Sequence, residues 1–116
     1  MHSNIETSEI NWDDFAKIEM RAGTIISAEV FKEVKNPAYK VVIDFGEYGI
    51  RKSSAQITKL YTPEELVGKQ VIAVINFPPK QIATIQSQCL ILGVVNDKEV
   101  TLLTTDKPVE NGWRVG

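Results

Sequence analysis

The sequence has few of the side chains that most often carry catalysis. Its 116 residues include one cysteine, Cys89, and one histidine, His2. A Cys–His nucleophile pair or a Cys/His metal site is therefore improbable. Ser53 and Ser54 have no basic neighbour in sequence beyond Lys52, which is weak support for a serine–lysine nucleophile. We expect a binding protein that is not an enzyme, with no catalytic residue, no metal and no cofactor.

Long apolar runs and targeting signals are also scarce. No apolar run approaches the roughly 20 residues that a membrane-spanning helix needs. The N-terminus lacks the basic region and apolar core of a signal peptide, and the single cysteine cannot form an internal disulfide. Hydrophobic content of 43% and charged content of 24% are ordinary for a globular chain. These features predict a cytoplasmic protein without membrane insertion.

The charge balance does not favour strong non-specific binding to nucleic acid. The formal net charge is −2, whereas such binding requires many phosphates to be neutralised by cations. Residues 32–80 nevertheless contain eight lysines and arginines against five acidic residues. This local excess permits a basic patch in the middle of the chain.

Short strand patterns fill most of the sequence. They are rich in β-branched and aromatic residues and lie at 21–31, 39–45, 50–54, 69–75, 88–95 and 100–105. In the first of them, Gly23 is placed where a bend or bulge would be needed. A helix signal separates the third from the fourth, with Thr62 as cap, Pro63 first and Glu65 third. This order predicts an all-β fold, a Greek-key barrel of the oligonucleotide/oligosaccharide-binding (OB) type. Length predicts one such domain, 12–116, after an N-terminal extension, 1–11.

A short N-terminal helix is predicted from a cap and an apolar face. Asn11 is a good N-cap residue, and Trp12, Phe15 and Ile18 fall on one face at helical spacing. Together with Trp113, these side chains are more apolar surface than the ends of a small barrel easily hide. The residues predicted to form a dimer interface are therefore Trp12, Phe15, Ile18 and Trp113.

A rigid corner follows the apolar strand Val71–Ile75. Asn76 is succeeded by Phe77, two prolines and Lys80. Because proline has no N–H and a fixed φ, the prolines stop the sheet and stiffen the turn. Such a corner could present Asn76 and Lys80 to a ligand at little entropic cost. Prolines at the end of a strand are also ordinary turn chemistry, and from this segment alone the plain turn is the favoured interpretation.

Five ordered motifs resemble the CsaA family, export-related chaperones built on a tRNA-binding-type domain. The wider family includes a C-terminal appendage of some methionyl-tRNA synthetases. The resemblance covers about residues 15–116 and implies a homodimer of barrels that binds rather than catalyses. The motifs are Met20–Ile25, Asn36–Gly46, Ser53–Thr58, Asn76–Lys80 and Ser87–Gly93.

Two ligand classes follow from this resemblance. For tRNA, lysine and arginine would neutralise phosphate, while asparagine and serine would hydrogen-bond sugar or base. The residues so implied are Arg51, Lys52, Ser53, Ser54, Asn76, Lys80 and Ser87. The tRNA-binding relatives usually continue with a basic Met-Arg-Gly run after the lysine, whereas residues 81–86 of this chain are neutral.

The other ligand class is unfolded or pre-export polypeptide. Apolar residues at the corner and near it could line a groove for extended segments. The residues predicted to contact such a peptide are Tyr39, Ile57, Phe77, Pro78, Pro79, Ile82 and Ile85. For Ile82 and Ile85, packing under the loop or into a dimer contact is slightly favoured over peptide contact, since an i, i+3 pair after a turn is a common capping arrangement. The neutral 81–86 segment favours polypeptide over tRNA.

Overall fold

The computed structural model describes residues 7–116, so His2 and part of the predicted extension lie outside the described residues. Within the described residues there are two short α-helices, one 3-10 turn (Gly46–Tyr48) and nine strands. The helices are α1 (Trp12–Ala16) and α2 (Pro63–Leu66). The strands are β1 (Met20–Val30), β2 (Tyr39–Asp44), β3 (Ile50–Ala55), β4 (Gln70–Val74), β5 (Lys80–Ile82), β6 (Ile85–Ser87), β7 (Leu90–Ile91), β8 (Gly93–Asn96) and β9 (Glu99–Leu102).

The main sheet has the strand order β3-β2-β1-β4-β7 and is entirely antiparallel. Strand β1 is long enough to pair with β4 through its first half and with β2 through its second half. Segment 87–89 approaches the free edge of β3 and nearly closes the sheet into a barrel. There the Gln88 amide donates to the Lys52 carbonyl at 2.8 Å. The predicted Greek-key barrel of the OB type is confirmed.

Alternating burial along the strands defines the core. In β2, the odd residues Tyr39, Val41 and Ile43 are buried and the even ones are half-exposed, as expected for a sheet with one face on the core. Leu66 of α2 is fully buried and belongs to the same core cluster. This parity fixes which side chains of β2 and β3 face outward.

Local capping explains both helices. Asn11 accepts from the Asp14 amide at 2.8 Å, while the Asp14 carboxylate accepts from the Asn11 amide. Thr62 and Glu65 form the same reciprocal arrangement in α2. Both predicted N-caps are confirmed.

Gly23 has a different role from the predicted bend. The register slips between Ile25 and Ser27, so the bulge lies further along β1. A Cβ on Gly23 would lie 2.7 Å from Ile43 and Phe45 side-chain atoms. Gly23 is therefore required for close packing over the core, and its assignment to a bend was wrong.

The C-terminal half departs from the predicted strands in two places. Residues 81–86, given no strand from the sequence, form most of the β5–β6 hairpin, whose turn holds Ala83 at a φ of 46°. The predicted single strand 88–95 is divided between β7 and β8. Strands of two to four residues are too short for a pattern of period two to reveal.

Candidate functional site

A row of lysines lies on the outer face of β3 and the neighbouring hairpin. Lys52 and Ser54 are at even, outward positions of β3, and Lys40 of β2 is directly opposite Ser54. On the hairpin, Lys80 is paired with Ser87, whose hydroxyl oxygen accepts from the Ser54 amide at 3.2 Å. We call Lys40, Lys52, Ser54, Lys80 and Ser87 the lysine row.

Lys40 was missed in the sequence, although its position could have been read from the alternation in β2. It is the partly neutralised member of the row, since its Nζ lies 3.3 Å from a Glu29 carboxylate oxygen and 5.5 Å from the centroid of the Phe31 ring. Lys52 and Lys80 are exposed and take part in none of the three salt bridges within residues 7–116. A solvated cation of this kind can pair with phosphate.

Three residues predicted to contact nucleic acid have internal partners instead. The Arg51 guanidinium donates to the Ile75 carbonyl at 2.9 Å and to the Tyr48 carbonyl. The Ser53 side chain is buried, and its hydroxyl donates to the Cys89 carbonyl at 3.1 Å. These groups already hold the barrel together, and Ser53 is too buried to reach a ligand directly. Arg51 is half-buried, and its contact with a ligand stays a prediction.

Asn76 is the third such residue and fastens the N-terminal segment to the corner. Its Nδ2 donates to the Lys17 carbonyl at 2.6 Å, and its Oδ1 accepts from the Glu19 amide at 3.0 Å. The amide therefore bridges the end of β4 to the segment that links α1 with β1. This is a structural role that the sequence reading did not foresee.

The residues predicted to contact a peptide separate into two groups. Tyr39 and Ile57 belong to the hydrophobic core, with 7% and 4% of their surface exposed. They cannot line an exposed groove, and that assignment was wrong because odd positions of β2 and of the segment after β3 point inward. At the corner, by contrast, the side chains of Phe77, Pro78 and Pro79 are exposed.

Ile82 and Ile85 fall between these groups. They are half-buried and face each other across the β5–β6 hairpin. A cross-strand pair of this kind stabilises the hairpin. Part of each side chain remains accessible, so either role considered in the sequence stays open.

An apolar end forms where α1, the corner and the C-terminal segment meet. The Arg114 guanidinium donates to the Ala16 carbonyl at 2.8 Å, and the Val115 amide donates to the Met20 carbonyl. These bonds and the Asn76 bridge bring four exposed apolar side chains onto connected segments. We call this set the apolar end: Trp12, Ile18, Phe77 and Trp113, with exposures of 71%, 40%, 56% and 57%.

An ion network lies beside the apolar end. The Glu19 carboxylate contacts the Arg21 guanidinium at 2.7 Å and the Arg114 guanidinium at 3.3 Å. The hydrogen bond from Arg21, followed by the charges of Arg114 and Arg21, holds the pKa of Glu19 below its ordinary value. Arg21 also lies 4.1 Å from the Tyr48 ring centroid. The polar groups here bind one another, so the apolar side chains are the part of this surface that is available to a partner.

Other features of the described residues bear on the class of protein. No helix in this part of the chain is long and apolar enough to cross a membrane. An OB-type barrel with cations on its outer β3 face defines a class of binding domain that includes many nucleic-acid binders. The chain belongs to the family described as putative tRNA binding domain, whose family model matches residues 20–114.

Curated relatives of this chain are much longer proteins. Methionine–tRNA ligase from Methanocella arvoryzae is 42% identical over 106 residues, which are 91% of this chain and 15% of that protein. The ligase from Caldanaerobacter subterraneus is 37% identical, with coverages of 91% and 16%. The chain thus spans about a sixth of the length of these relatives.

Three solved structures match over their whole length. The chaperone CsaA from Bacillus anthracis superposes with a TM-score of 0.90 at 45% identity, covering 94% of this chain and 100% of that one. CsaA from Picrophilus torridus gives 0.87 at 47% identity, with coverages of 93% and 100%. A MetRS-related protein from Pyrococcus horikoshii gives 0.84 at 31% identity, covering 95% and 100%. The resemblance to CsaA is confirmed.

Proposed function

We propose that the chain is a cytosolic, homodimeric chaperone that binds unfolded or pre-export polypeptides. The observation that carries this proposal is the apolar end, where Trp12, Phe77 and Trp113 each expose more than half of their surface. Large exposed apolar side chains brought together on one part of a small domain are typical of an interaction surface.

The comparisons support a chaperone more than a synthetase activity. The two CsaA chaperones are matched over their full length, whereas the ligases are matched over 15% and 16% of theirs. The shared part therefore carries a binding role, and the proposal includes no catalysis by this chain. A free cysteine, Cys89, is compatible with a reducing compartment.

Two parts of the apolar surface have different proposed roles. The subunit contact is formed by Trp12, Phe15, Ile18 and Trp113, because they lie on α1, on the segment that follows it and on the C-terminal segment, which Arg114 ties together. The corner residues Phe77, Pro78 and Pro79 contact the polypeptide, with Ile82 and Ile85 beside them. Since the prolines fix the backbone, the corner loses little conformational entropy on binding.

A second candidate is tRNA binding through the lysine row. The family match favours it, and Lys52 and Lys80 are exposed on neighbouring elements. Against tight binding, Lys40 is paired with Glu29, and residues 81–86, which form most of the hairpin, carry no charge. We expect tRNA affinity to be weak and to fall steeply with salt.

Competition between the two ligands tests the proposal. Labelled tRNA and a reduced, alkylated, permanently unfolded polypeptide are each titrated with the protein at about 0.15 M salt, near physiological ionic strength. We expect the polypeptide to bind and the tRNA to be weak. The chaperone proposal fails if tRNA binds tightly and the polypeptide neither binds nor displaces it.

Matched variants separate the surfaces. Phe77→Ser removes an exposed apolar side chain from the corner, and Val94→Ser removes one of similar exposure from β8. Only Phe77→Ser should weaken polypeptide binding. Lys52→Ala and Lys80→Ala should weaken tRNA binding, while Lys107→Ala, an exposed lysine outside the lysine row, should not.

A further inference from the structure

The β8–β9 hairpin borders a cavity of about 500 Å³ that has no role in the functions above. Its walls come from three segments: the loop between β1 and β2, the residues after β3, and the hairpin itself. The volume lies within the range of roughly 300–1,000 Å³ that small-ligand sites occupy. Asp97, at a φ of 55°, forms the hairpin turn and places its neighbour Lys98 at the same rim.

Six polar side chains line this cavity without bonding to one another. Among residues 7–116, none of them makes a side-chain hydrogen bond or salt bridge. They supply two amides, one hydroxyl, two ammonium groups and one carboxylate. The six are Asn36, Gln56, Thr58, Lys59, Asp97 and Lys98. Their hydrogen-bonding capacity is free for a polar ligand.

The remaining wall of the cavity is apolar and packs against the hydrophobic core. Pro37, Val95 and Val100 line it. The core residue Ile57 lies between the lining residues Gln56 and Thr58 and holds this part of the wall against the core. Because the shape is formed in advance, binding requires little ordering of the protein.

The cavity continues the lysine row. Gln56 is the next even position after Lys52 and Ser54 and is exposed. At a strand rise of about 3.3 Å per residue, Gln56 lies roughly 13 Å along the chain from Lys52. A linear ligand on the lysine row can therefore extend into the cavity.

We propose that this cavity binds an unpaired nucleotide of an RNA chain. The apolar wall packs against the base, and the Asn36 and Gln56 amides, each both donor and acceptor, bond to its edge. Lys59 and Lys98 neutralise adjacent phosphates, and the Asp97 carboxylate accepts from the ribose 2′-hydroxyl or a base amino group. The proposal rests on the RNA-binding candidate above, not on the chaperone function.

Titration with homopolymeric RNA hexamers, each containing only one type of base, tests the site. Amide chemical shifts of the isotope-labelled protein are followed with RNA, with DNA of the same sequence, and with an unfolded peptide. We expect RNA to shift the lysine row and the cavity together, and DNA to bind more weakly. Gln56→Ala and Lys59→Ala should each weaken hexamer binding about tenfold, the loss expected for one base or phosphate contact. Lys107→Ala is the matched control.

Two failures are distinguishable. If neither hexamer nor tRNA binds, the RNA-binding candidate itself is overturned, and the cavity proposal with it. If RNA shifts only the lysine row, RNA binding survives and the cavity proposal is overturned. The same holds if the unfolded peptide shifts the cavity while RNA shifts only the lysine row. Unchanged thermal unfolding of Gln56→Ala and Lys59→Ala would show that any lost affinity is not lost folding.

Discussion

The apolar end and the lysine row use polar side chains in opposite ways. At the apolar end, Glu19 binds Arg21 and Arg114, and both polar atoms of Asn76 bond to backbone. On the lysine row, the charged groups of Lys52 and Lys80 face solvent. Similar residue types therefore support the fold in one region and are available to a ligand in the other. What separates the two roles is the internal partner, which a motif does not reveal.

The largest expected effect tests the proposed subunit contact, which is formed by Trp12, Phe15, Ile18 and Trp113. Trp12→Ala combined with Phe15→Ala removes two aromatic rings whose centroids lie 5.4 Å apart. Aromatic side chains dominate interface energetics, so we expect the dimer to dissociate completely at micromolar concentration. Sedimentation should fall from twice the 13.0 kDa chain mass to that mass.

Val94→Ala combined with Val95→Ala is the control, because both valines are more than 60% exposed but lie on β8. That variant should sediment like the parent protein. A dimer that survives the aromatic substitutions would show that the subunit contact lies elsewhere and would overturn the proposed one.

Adjacent cations on β3 give the next effect. Arg51→Ala should lower the free energy of unfolding by about 2–3 kcal/mol, because carbonyls of Tyr48 and Ile75 lose a charged donor. Lys52→Ala should change it by less than about 0.5 kcal/mol. Chemical denaturation of both variants measures the difference.

For RNA affinity we expect the reverse order of effects, with the Lys52 substitution having the larger effect and the Arg51 substitution the smaller. Lys52→Ala should flatten the dependence of log affinity on log salt by about 0.7–0.9 if one phosphate contact is lost. A folded Arg51→Ala protein with the same stability as the parent would contradict the structural role assigned to Arg51.

Two asparagines provide a matched pair of smaller effect. Asn76→Ala removes bonds to the backbone of Lys17 and Glu19 and should cost about 1–2 kcal/mol. Asn36→Ala removes a side chain without a bond in the described part of the chain and should cost less than about 0.5 kcal/mol. Hydrogen exchange at the Glu19 amide should accelerate only in Asn76→Ala. Equal exchange in both variants would show that Asn76 does not fasten the N-terminal segment.

The fold followed from the sequence where signals were local and repeated. Helix α2 was predicted from its own capping residues, Thr62, Pro63 and Glu65. Strand β2 was predicted from the alternation of apolar and polar residues in 39–45. The β5–β6 hairpin was missed because three-residue strands without a glycine turn carry no such signal. The bulge was misplaced because Gly23 is needed for close packing, a contact between strands that local pattern cannot show.

The site was predictable only in part. Lys52 and Lys80 were found by charge and motif, and both are exposed. Tyr39 and Ile57 were chosen as surface residues although parity turns them inward, while Gln56 and Thr58, on either side of Ile57, line the cavity. Arg51 donates to Ile75, 24 residues away, and Asn76 bonds to residues 57 and 59 positions away, so only the folded chain identifies these partners.

The seam between β3 and segment 87–89, beneath the lysine row, gives an effect that appears only at alkaline pH. It tests whether the buried region below that solvated surface excludes water. Cys89 is buried where segment 87–89 meets β3, and its carbonyl accepts from Ser53. Burial is the main cause that raises the pKa of the Cys89 thiol from 9.0 to about 11. The folded protein thus retains a proton that the unfolded chain releases between these values.

Stability contributed by this proton is fully present below pH 9 and is lost as pH rises toward 11. Cys89→Ala should therefore unfold with a weaker dependence on pH in this window, the difference reaching about 1–3 kcal/mol. Denaturant unfolding of parent and variant at pH 8 and pH 10.5 measures it, and groups common to both proteins cancel. An identical pH dependence in the two would mean that solvent reaches the thiol, and that the seam between β3 and segment 87–89 is open rather than closed.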